Sequence, residues 1–479
     1  MDGDRMQALL KAMLKDKAIK EIADRYGAKK ARTLAYGLAG TQKHTAVAAC
    51  FSLAGPLTII VSDQQELNQW KDDLGCLLPE IEVLELPVLD MAEFNAAAKG
   101  IHRLARRMDV LGRLLQGEQC IVLATVEAAM QKGIGTREYR ELSLSLHTGE
   151  VLEREELLKQ LVKLGYERND QVEMAGDFSV RGGIVDVFPL NSPHPYRIEF
   201  FDNEIESIRQ FNIATQRSMG QLEAVEILPF GGVADKQKKY CFGDFLPENG
   251  RVIIDEPLKS REESIKLLKE NPDIKTRMFS WDELVENLQG RNMLLLSLIL
   301  SDLHGIKPDK IISVQIQGIT SYQKQMNILL SETGDWLAEG RSILMVLGDK
   351  AKAQAMREQL ARNRLASVEA NGEEPLKNGR VNIIQGALLN GFELSGANLV
   401  VITEKDIFGR QKKRLNRVSS EERISHFREI NVGDYVVHNQ HGIGKYLGVK
   451  TMEIEGIRRD YLRMQYGGDD QLYVPTDQV

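Results

Sequence analysis

Four cysteines in 479 residues, Cys50, Cys76, Cys120 and Cys241, stand far apart with no CxxC pair. That spacing gives no disulfide framework and no cysteine-built metal site, and it implies reduced thiols in a cytoplasm. Long apolar runs are missing as well. The most apolar stretch, residues 293–300 (MLLLSLIL), is too short to cross a bilayer and is suited to a buried strand. Residues 1–20 are polar and amphipathic, so no secretory signal opens the chain. Neither charge dominates: Lys and Arg total 62, Asp and Glu 69, for a net charge of -7 and a pI near 5.8. Such a balance argues against a nucleic-acid coat, while a local basic patch can still meet phosphate. No intact GxxxxGK(S/T) phosphate loop occurs anywhere.

What is present is the ordinary material of globular domains, 43% hydrophobic and 27% charged. One core does not suffice at this length, and roughly three to five domains are expected, of multidomain α/β class. Residues 1–140 predict an α/β unit. LTIIV (57–61) and CIVL (120–123) are apolar runs suited to buried parallel strands, with helical stretches at 64–77 and 100–116. Arg103, Arg106, Arg107 and Arg113 make the second helix basic. They read as a solvated face, with weak phosphate contact as the alternative.

GLAGTQKHT (37–45) is the instructive piece of this unit. A phosphate loop needs glycine, then lysine, then a hydroxyl: the backbone wraps the phosphates, Lys neutralises them and the hydroxyl holds magnesium. Aligning Gly37 with the first glycine and Lys43 with the lysine puts Gln42 at the second glycine and His44 at the hydroxyl. Imidazole is a poor magnesium ligand, and glutamine resists a backbone that glycine adopts freely. Gly37, Gly40, Lys43 and His44 therefore predict a degenerate, inactive nucleotide loop. The alternative is a plain helix start capped by Thr41. RVIIDEP (251–257) resembles the acidic strand of such sites, but with a defective loop Asp255 and Glu256 are expected to cap the next segment.

Residues 176–205, GDFSVRGGIVDVFPLNSPHPYRIEFFDNEI, read as two strands joined by a proline-bounded loop. In the second strand Tyr196, Ile198 and Phe200 share one face and Arg197, Glu199 and Phe201 the other. The first set reads as core. An exposed phenylalanine beside arginine has the composition of a protein-binding hot spot. The alternative packs Phe201 under a loop and pairs Arg197 with Glu199. FSVRGGIVDVFP followed by PYRIEFFDNEIESIR resembles the second domain of the bacterial transcription-repair coupling factors, a family related to UvrB. The resemblance implies that this β-rich domain docks onto UvrA through Arg181, Arg197 and Phe201.

Later segments follow the same family order. Residues 141–230 are expected to be the docking domain, opening with a strand at 141–146 and a helix near 154–164. It is inserted in a UvrB-like unit that resumes at 231–308. Residues 312–408 predict a small α/β domain with strands at 342–347, 381–384 and 399–402, a helix at 351–363, and a loop at 390–394 (NGFEL). Residues 409–430 are a basic linker carrying Arg410, Lys412, Lys413, Arg414 and Arg417, with DNA contact as a minority reading. Residues 431–479, with glycine-marked turns and short strands, predict a Tudor or SH3-like barrel. GDYVVHNQHGIGKY and LYVP resemble the RNA-polymerase-interacting module that coupling factors share with CarD-type regulators. The resemblance implies strand addition to the polymerase β subunit. VKTMEI (449–454) is the candidate edge, with Lys450, Met452 and Ile454 as contacts. The other reading places Met452 and Ile454 in the barrel core. His438 and His441 lack a third ligand and read as turn residues.

The resemblance implies an adaptor that binds stalled RNA polymerase at one end and recruits UvrA at the other. The family continues into an ATP-driven DNA translocase, and no second phosphate loop stands in for it here. The chain is thus expected to be an N-terminal portion, not itself an enzyme and without a cofactor of its own, the ATP and magnesium belonging to the motor. No membrane contact is expected. The alternative is a UvrB-like ATP-dependent strand-separating enzyme, which would need a working phosphate loop and an aromatic hairpin. Residues 87–100 offer only Phe94.

Overall fold

The computed structural model describes residues 6–28, 30–51, 56–89, 98–189, 191–228, 240–303, 305–323, 325–370 and 374–409, with strands at 435–438, 442–454, 457–465 and 471–475. Residues 410–430 of the basic linker, Phe94, His441, Gly456 and residues 467–469 lie outside this set. The chain divides into two compact units, residues 1–409 and 410–479.

Unit one opens with helices α1 (Gln7–Met13) and α2 (Lys17–Tyr26). Asp16 caps α2 by accepting the Ala18 and Ile19 amides. Strand and helix then alternate: β1 (Arg32–Tyr36), α3 (Thr41–Phe51), β2 (Leu57–Val61), α4 (Gln64–Leu77), β3 (Val83–Leu86), α5 (Ala98–Gln116) and β4 (Ile121–Thr125). Two short helices follow, α6 (Val126–Met130) and α7 (Thr136–Leu142). β2 and β4 are buried at every residue, as strands covered on both faces must be.

The chain then leaves this sheet and builds another. β5 (Leu144–His147), α8 (Arg154–Lys163), β6 (Glu167–Arg168), β7 (Asp177–Arg181), β8 (Ile184–Val187), β9 (Tyr196–Phe201), β10 (Glu204–Phe211), β11 (Ser218–Leu222) and β12 (Ala224–Ile227) make it up. Six strands lie in the order β11-β10-β9-β8-β7-β6, while β5 pairs with β12. One face of the sheet, with Phe178, Val185, Ile198 and Ile208, packs on Leu157 and Leu161 of α8. β13 (Arg251–Asp255), α9 (Pro257–Glu270), β14 (Asn292–Ser297) and β15 (Lys310–Ser313) then complete the first sheet. Its order is β15-β1-β14-β13-β2-β4-β3, parallel throughout.

A third sheet uses β16 (Ile316–Gly318), β17 (Ser342–Leu347), β18 (Ser367–Glu369), β19 (Val381–Gln385), β20 (Phe392–Leu394) and β21 (Leu399–Thr403), in the order β16-β20-β21-β17-β19-β18. It shares one apolar core with the first sheet: Leu344, Val346, Phe392 and Val401 cluster with Leu9, Met13, Ala48 and Trp70. α3 lies inside that core with all of its residues buried, including Thr41, Gln42, Lys43, His44 and Thr45. A helix so placed must satisfy its polar groups internally.

Unit two, among the described residues, is a four-stranded antiparallel sheet. β22 (Tyr435–His438), β23 (Gly442–Ile454), β24 (Ile457–Gln465) and β25 (Gln471–Pro475) pair in sequence order.

Several local expectations are corrected. Residues 141 and 142 finish α7, so the strand expected at 141–146 begins at Leu144. The strand expected over 293–300 stops at Ser297, and Leu298, Ile299 and Leu300 are exposed. Glu256 ends it by accepting the Leu298 amide (2.9 Å) and the Ser297 hydroxyl (3.3 Å). The expected loop at 390–394 contains β20, whose Phe392 and Leu394 are buried. Arg107 is no solvated cation: its guanidinium is buried and donates to the Pro87 and Ala128 carbonyls at 2.8 and 2.9 Å. Arg113 pairs with Glu82 and Glu118 at 2.8 and 3.0 Å.

Gly37, between β1 and α3, adopts φ +92°. A Cβ there would meet the Val314 carbonyl oxygen at 2.4 Å. Gly37→Ala is therefore expected to destabilise unit one by about 2 kcal/mol or more, read as a lowered midpoint in thermal unfolding. An unchanged midpoint would show that the loop gives way freely.

Candidate functional site

The loop before α3 is filled by the protein's own atoms. Gln42, at the place of the missing glycine, folds its side chain back so that Oε1 accepts the Ala39 amide at 3.0 Å. The Gln42, Lys43 and His44 amides donate to the Ala39 and Gly40 carbonyls. Lys43 is buried and its Nζ lies 2.8 Å from both carboxylate oxygens of Asp255, at the end of β13. Asp255 also accepts the Trp70 indole N–H at 2.8 Å. Burial of such a pair is offset because each member has its partner and the indole takes up further acceptor capacity of the carboxylate.

A second buried acid stands beside the first. Asp73 accepts the Thr41 hydroxyl (2.8 Å), the His44 Nδ1–H (2.6 Å) and the Leu389 amide (2.9 Å). Thr41 in turn accepts the Asn390 amide at 3.0 Å. Thr41 is thus tied to a neighbouring acid and a covering loop, and the expected cap role gives way to that bond. The His44 ring lies 4.2 Å from the Trp70 ring. Residues 389–390, from the third sheet, therefore sit over the start of α3, with the Asn390 side chain against Gly40.

The expectation that Asp255 and Glu256 cap the next segment is corrected. Asp255 holds Lys43 and Trp70. Glu256 is the N-cap residue of α9 but adopts a left-handed backbone and makes no side-chain cap. Its carboxylate serves the end of β14 instead. Burial raises the Glu256 carboxyl above the ordinary range, and Lys43 opposes the shift.

The face of the six-stranded sheet opposite its core is a ladder of charge. In one cross-strand row stand Asp186, Arg197, Arg209 and Gln221; in the next Arg181, Ile184, Glu199 and Ser207. Arg197 donates twice to Asp186 (2.7 and 2.8 Å) and lies 4.4 Å over the Phe211 ring. The hydrogen bonds to Asp186 raise its pKa. Its pairing with Glu199, the alternative from sequence, is replaced by this bidentate bond, while Glu199 pairs with Arg209 at 2.9 Å. Arg197 keeps only 18% of its side chain exposed. Phe201 is 70% exposed and is not packed beneath a loop. Arg181, in the turn before Gly182, reaches the Asp170 carbonyl at 3.2 Å and stays exposed. Gly183 allows that turn, since a Cβ there would meet the Phe200 carbonyl oxygen at 2.9 Å. Arg181, Arg197 and Phe201 thus share one sheet face.

In unit two, residues 449–454 of β23 pair with β24, with Lys450, Met452 and Ile454 opposite Tyr461, Arg459 and Ile457. β22 reaches only residues 442–445 of the same strand. Among the described pairings, 449–454 is bonded on one side. The residues whose part in this network sequence reasoning missed are Trp70, Asp73, Leu389 and Asn390. Asp73 was traceable as an acid on the apolar face of α4, between Trp70 and Leu77; the loop at Asn390 was expected, but nothing local told what it covers.

Removing one partner of the buried pair strands the other. Lys43→Met is expected to cost about 3 kcal/mol or more. Adding Asp255→Leu is expected to recover part of that loss, falling short because Trp70 then lacks its acceptor. Thermal unfolding of the two variants checks this; a double variant less stable than Lys43→Met would contradict it.

Comparison with known proteins adds the family. Residues 144–231 match the UvrB interaction domain, and residues 430–479 match the CarD-like/TRCF RID domain. The transcription-repair-coupling factor of Bacillus subtilis strain 168 is 31% identical over 92% of this chain and 44% of its own length. That of Staphylococcus aureus strain MRSA252 is 28% identical over 94% of this chain and 45% of its own. The chain therefore spans less than half the length of these curated relatives. A DEAD box protein structure from Methanococcus jannaschii aligns with 78% of this chain and 73% of its own at 10% identity, but its TM-score of 0.27 carries no argument. No helix among the described residues is long and apolar enough to cross a membrane. Matched along nearly all its length and carrying both domains, the chain is a relative of the transcription-repair-coupling factors, corresponding to their N-terminal portion.

Proposed function

We propose that this chain is the adaptor portion of a coupling factor, joining RNA polymerase at one end to UvrA at the other. The observation that carries the reading is the outer face of the six-stranded sheet. A phenylalanine 70% exposed on the same sheet face as the exposed Arg181 is costly for a free domain and apt for a protein interface. Within that face Arg181 and Phe201 are the groups free to reach a partner. Arg197, held between Asp186 and Phe211, keeps the surface in shape and offers its remaining edge.

At the other end, residues 449–454 of β23 offer backbone groups on the side away from β24, which suits strand addition to the polymerase β subunit. Lys450, Met452 and Ile454 supply the side-chain contacts, and closure of the four strands into a Tudor-like barrel completes that reading. Nucleotide-driven strand separation is not favoured. Lys43 is engaged by Asp255, and the Ala39, Gln42, Lys43 and His44 amides are engaged by the chain itself. The unit before the docking sheet then serves as scaffold, without a nucleotide cofactor.

Titration of the chain against purified UvrA tests the docking end. Arg181→Ala combined with Phe201→Ala is expected to weaken binding on the order of a hundredfold, as loss of two hot-spot residues does. Unchanged affinity would sink the assignment of the face.

A further inference from the structure

The docking face extends beyond its two strands. Val151 bridges Glu204 in antiparallel register, and Glu204 pairs with Phe201 on the other side. Residues directly opposite one another in antiparallel strands point to the same face. Phe201, Glu204 and Val151 therefore form one row, with the two apolar side chains about 10 Å apart, two strand spacings. Exposure sets this row apart. Val151 is 78% exposed, Ile299 71% and Phe201 70%, the highest values for large apolar side chains among the described residues. Two of those three stand in this single row.

Val151 is also held firmly. Ile205 donates its amide to the Glu150 carbonyl at 2.9 Å, and Leu152 donates to Asn203 at 2.7 Å. Leu152 packs against the domain core, so its neighbour must point outward. Two residues on, Arg154 at the start of α8 donates to the Gly182 carbonyl in the turn that carries Arg181. The segment 150–154 thus braces both ends of the face, the hairpin after Phe201 and the turn after Arg181. A rigid apolar side chain loses little freedom on binding.

We propose that Val151 is a second apolar anchor for the partner of the UvrB interaction domain, and that Glu204 between the anchors selects a basic side chain on that partner. The proposal rests on the docking reading above and deepens it. The complementary surface presents two apolar sockets about 10 Å apart, a cation between them, and a carboxylate facing Arg181. Asp202, Glu204 and Glu206 are all exposed beside the row, which makes its middle acidic.

The test uses the whole chain and purified UvrA. Val151→Ser and Glu204→Lys are each expected to weaken binding about tenfold, as single hot-spot changes do. Neither should move the thermal midpoint, since both side chains are exposed. Val151→Ser with full affinity, beside a weakened Phe201→Ala, would overturn this proposal and leave the docking reading standing. No binding by the unsubstituted chain would overturn both. A concentration-dependent dimer abolished by Val151→Ser would overturn it too, assigning the row to a second copy of this chain.

Discussion

The ion pair between Lys43 and Asp255 is the constraint around which unit one is arranged. Two charges lie in an apolar core with 2.8 Å between them. Such a pair is tolerable only when both members are present and fully bonded. That requirement places β13 beside the start of α3, puts Trp70 of α4 against Asp255, and turns Lys43 toward Asp255, with Glu66 3.9 Å away. Asp73 extends the arrangement. By bonding His44, Thr41 and the Leu389 amide it fastens the third sheet over the same helix. The start of α3 is thus a clasp between two layers of one core.

The consequence is a division of labour. The buried network ties the first and third sheets together, while the inserted sheet keeps its charged face outward. Even there most charge is neutralised internally, Asp186 with Arg197 and Glu199 with Arg209. What stays available is the margin of the face: Arg181 in its turn, and the apolar row that runs through Phe201. In the reading proposed above, specificity for a partner comes from that margin together with the edge that Arg197 keeps exposed beside Asp186. Unit two follows a different logic in that reading, since among the described pairings 449–454 is bonded on one side.

Much of this was legible in the sequence where periodicity and burial coincide. LTIIV and SILMVL are strands because uniform apolar runs need cover on both faces, and the alternation in YRIEFF separated core from surface correctly. Gln42 and His44 mark the departure from the phosphate-loop pattern in the sequence itself. What escaped depends on contacts distant in sequence. Arg107 looks solvated until two carbonyls from other segments are found around it. Leu298 to Leu300 continue an apolar run, yet the Glu256 carboxylate turns the chain out of the sheet. The loop at 389–390 covers α3 from more than three hundred residues away; the sequence marks a loop at Asn390 but not what it covers. Val151 is likewise unremarkable in sequence and gains meaning only from the bridge to Glu204.

The central claim is that the Lys43 loop is closed by the protein itself. The most direct test is thermal unfolding of the chain with and without millimolar ATP and magnesium. A ligand at a hundred times its dissociation constant stabilises the folded state by about 2.7 kcal/mol, a shift easily seen. The account predicts no change in midpoint. A rise that depends on nucleotide concentration and disappears in Lys43→Met would contradict it.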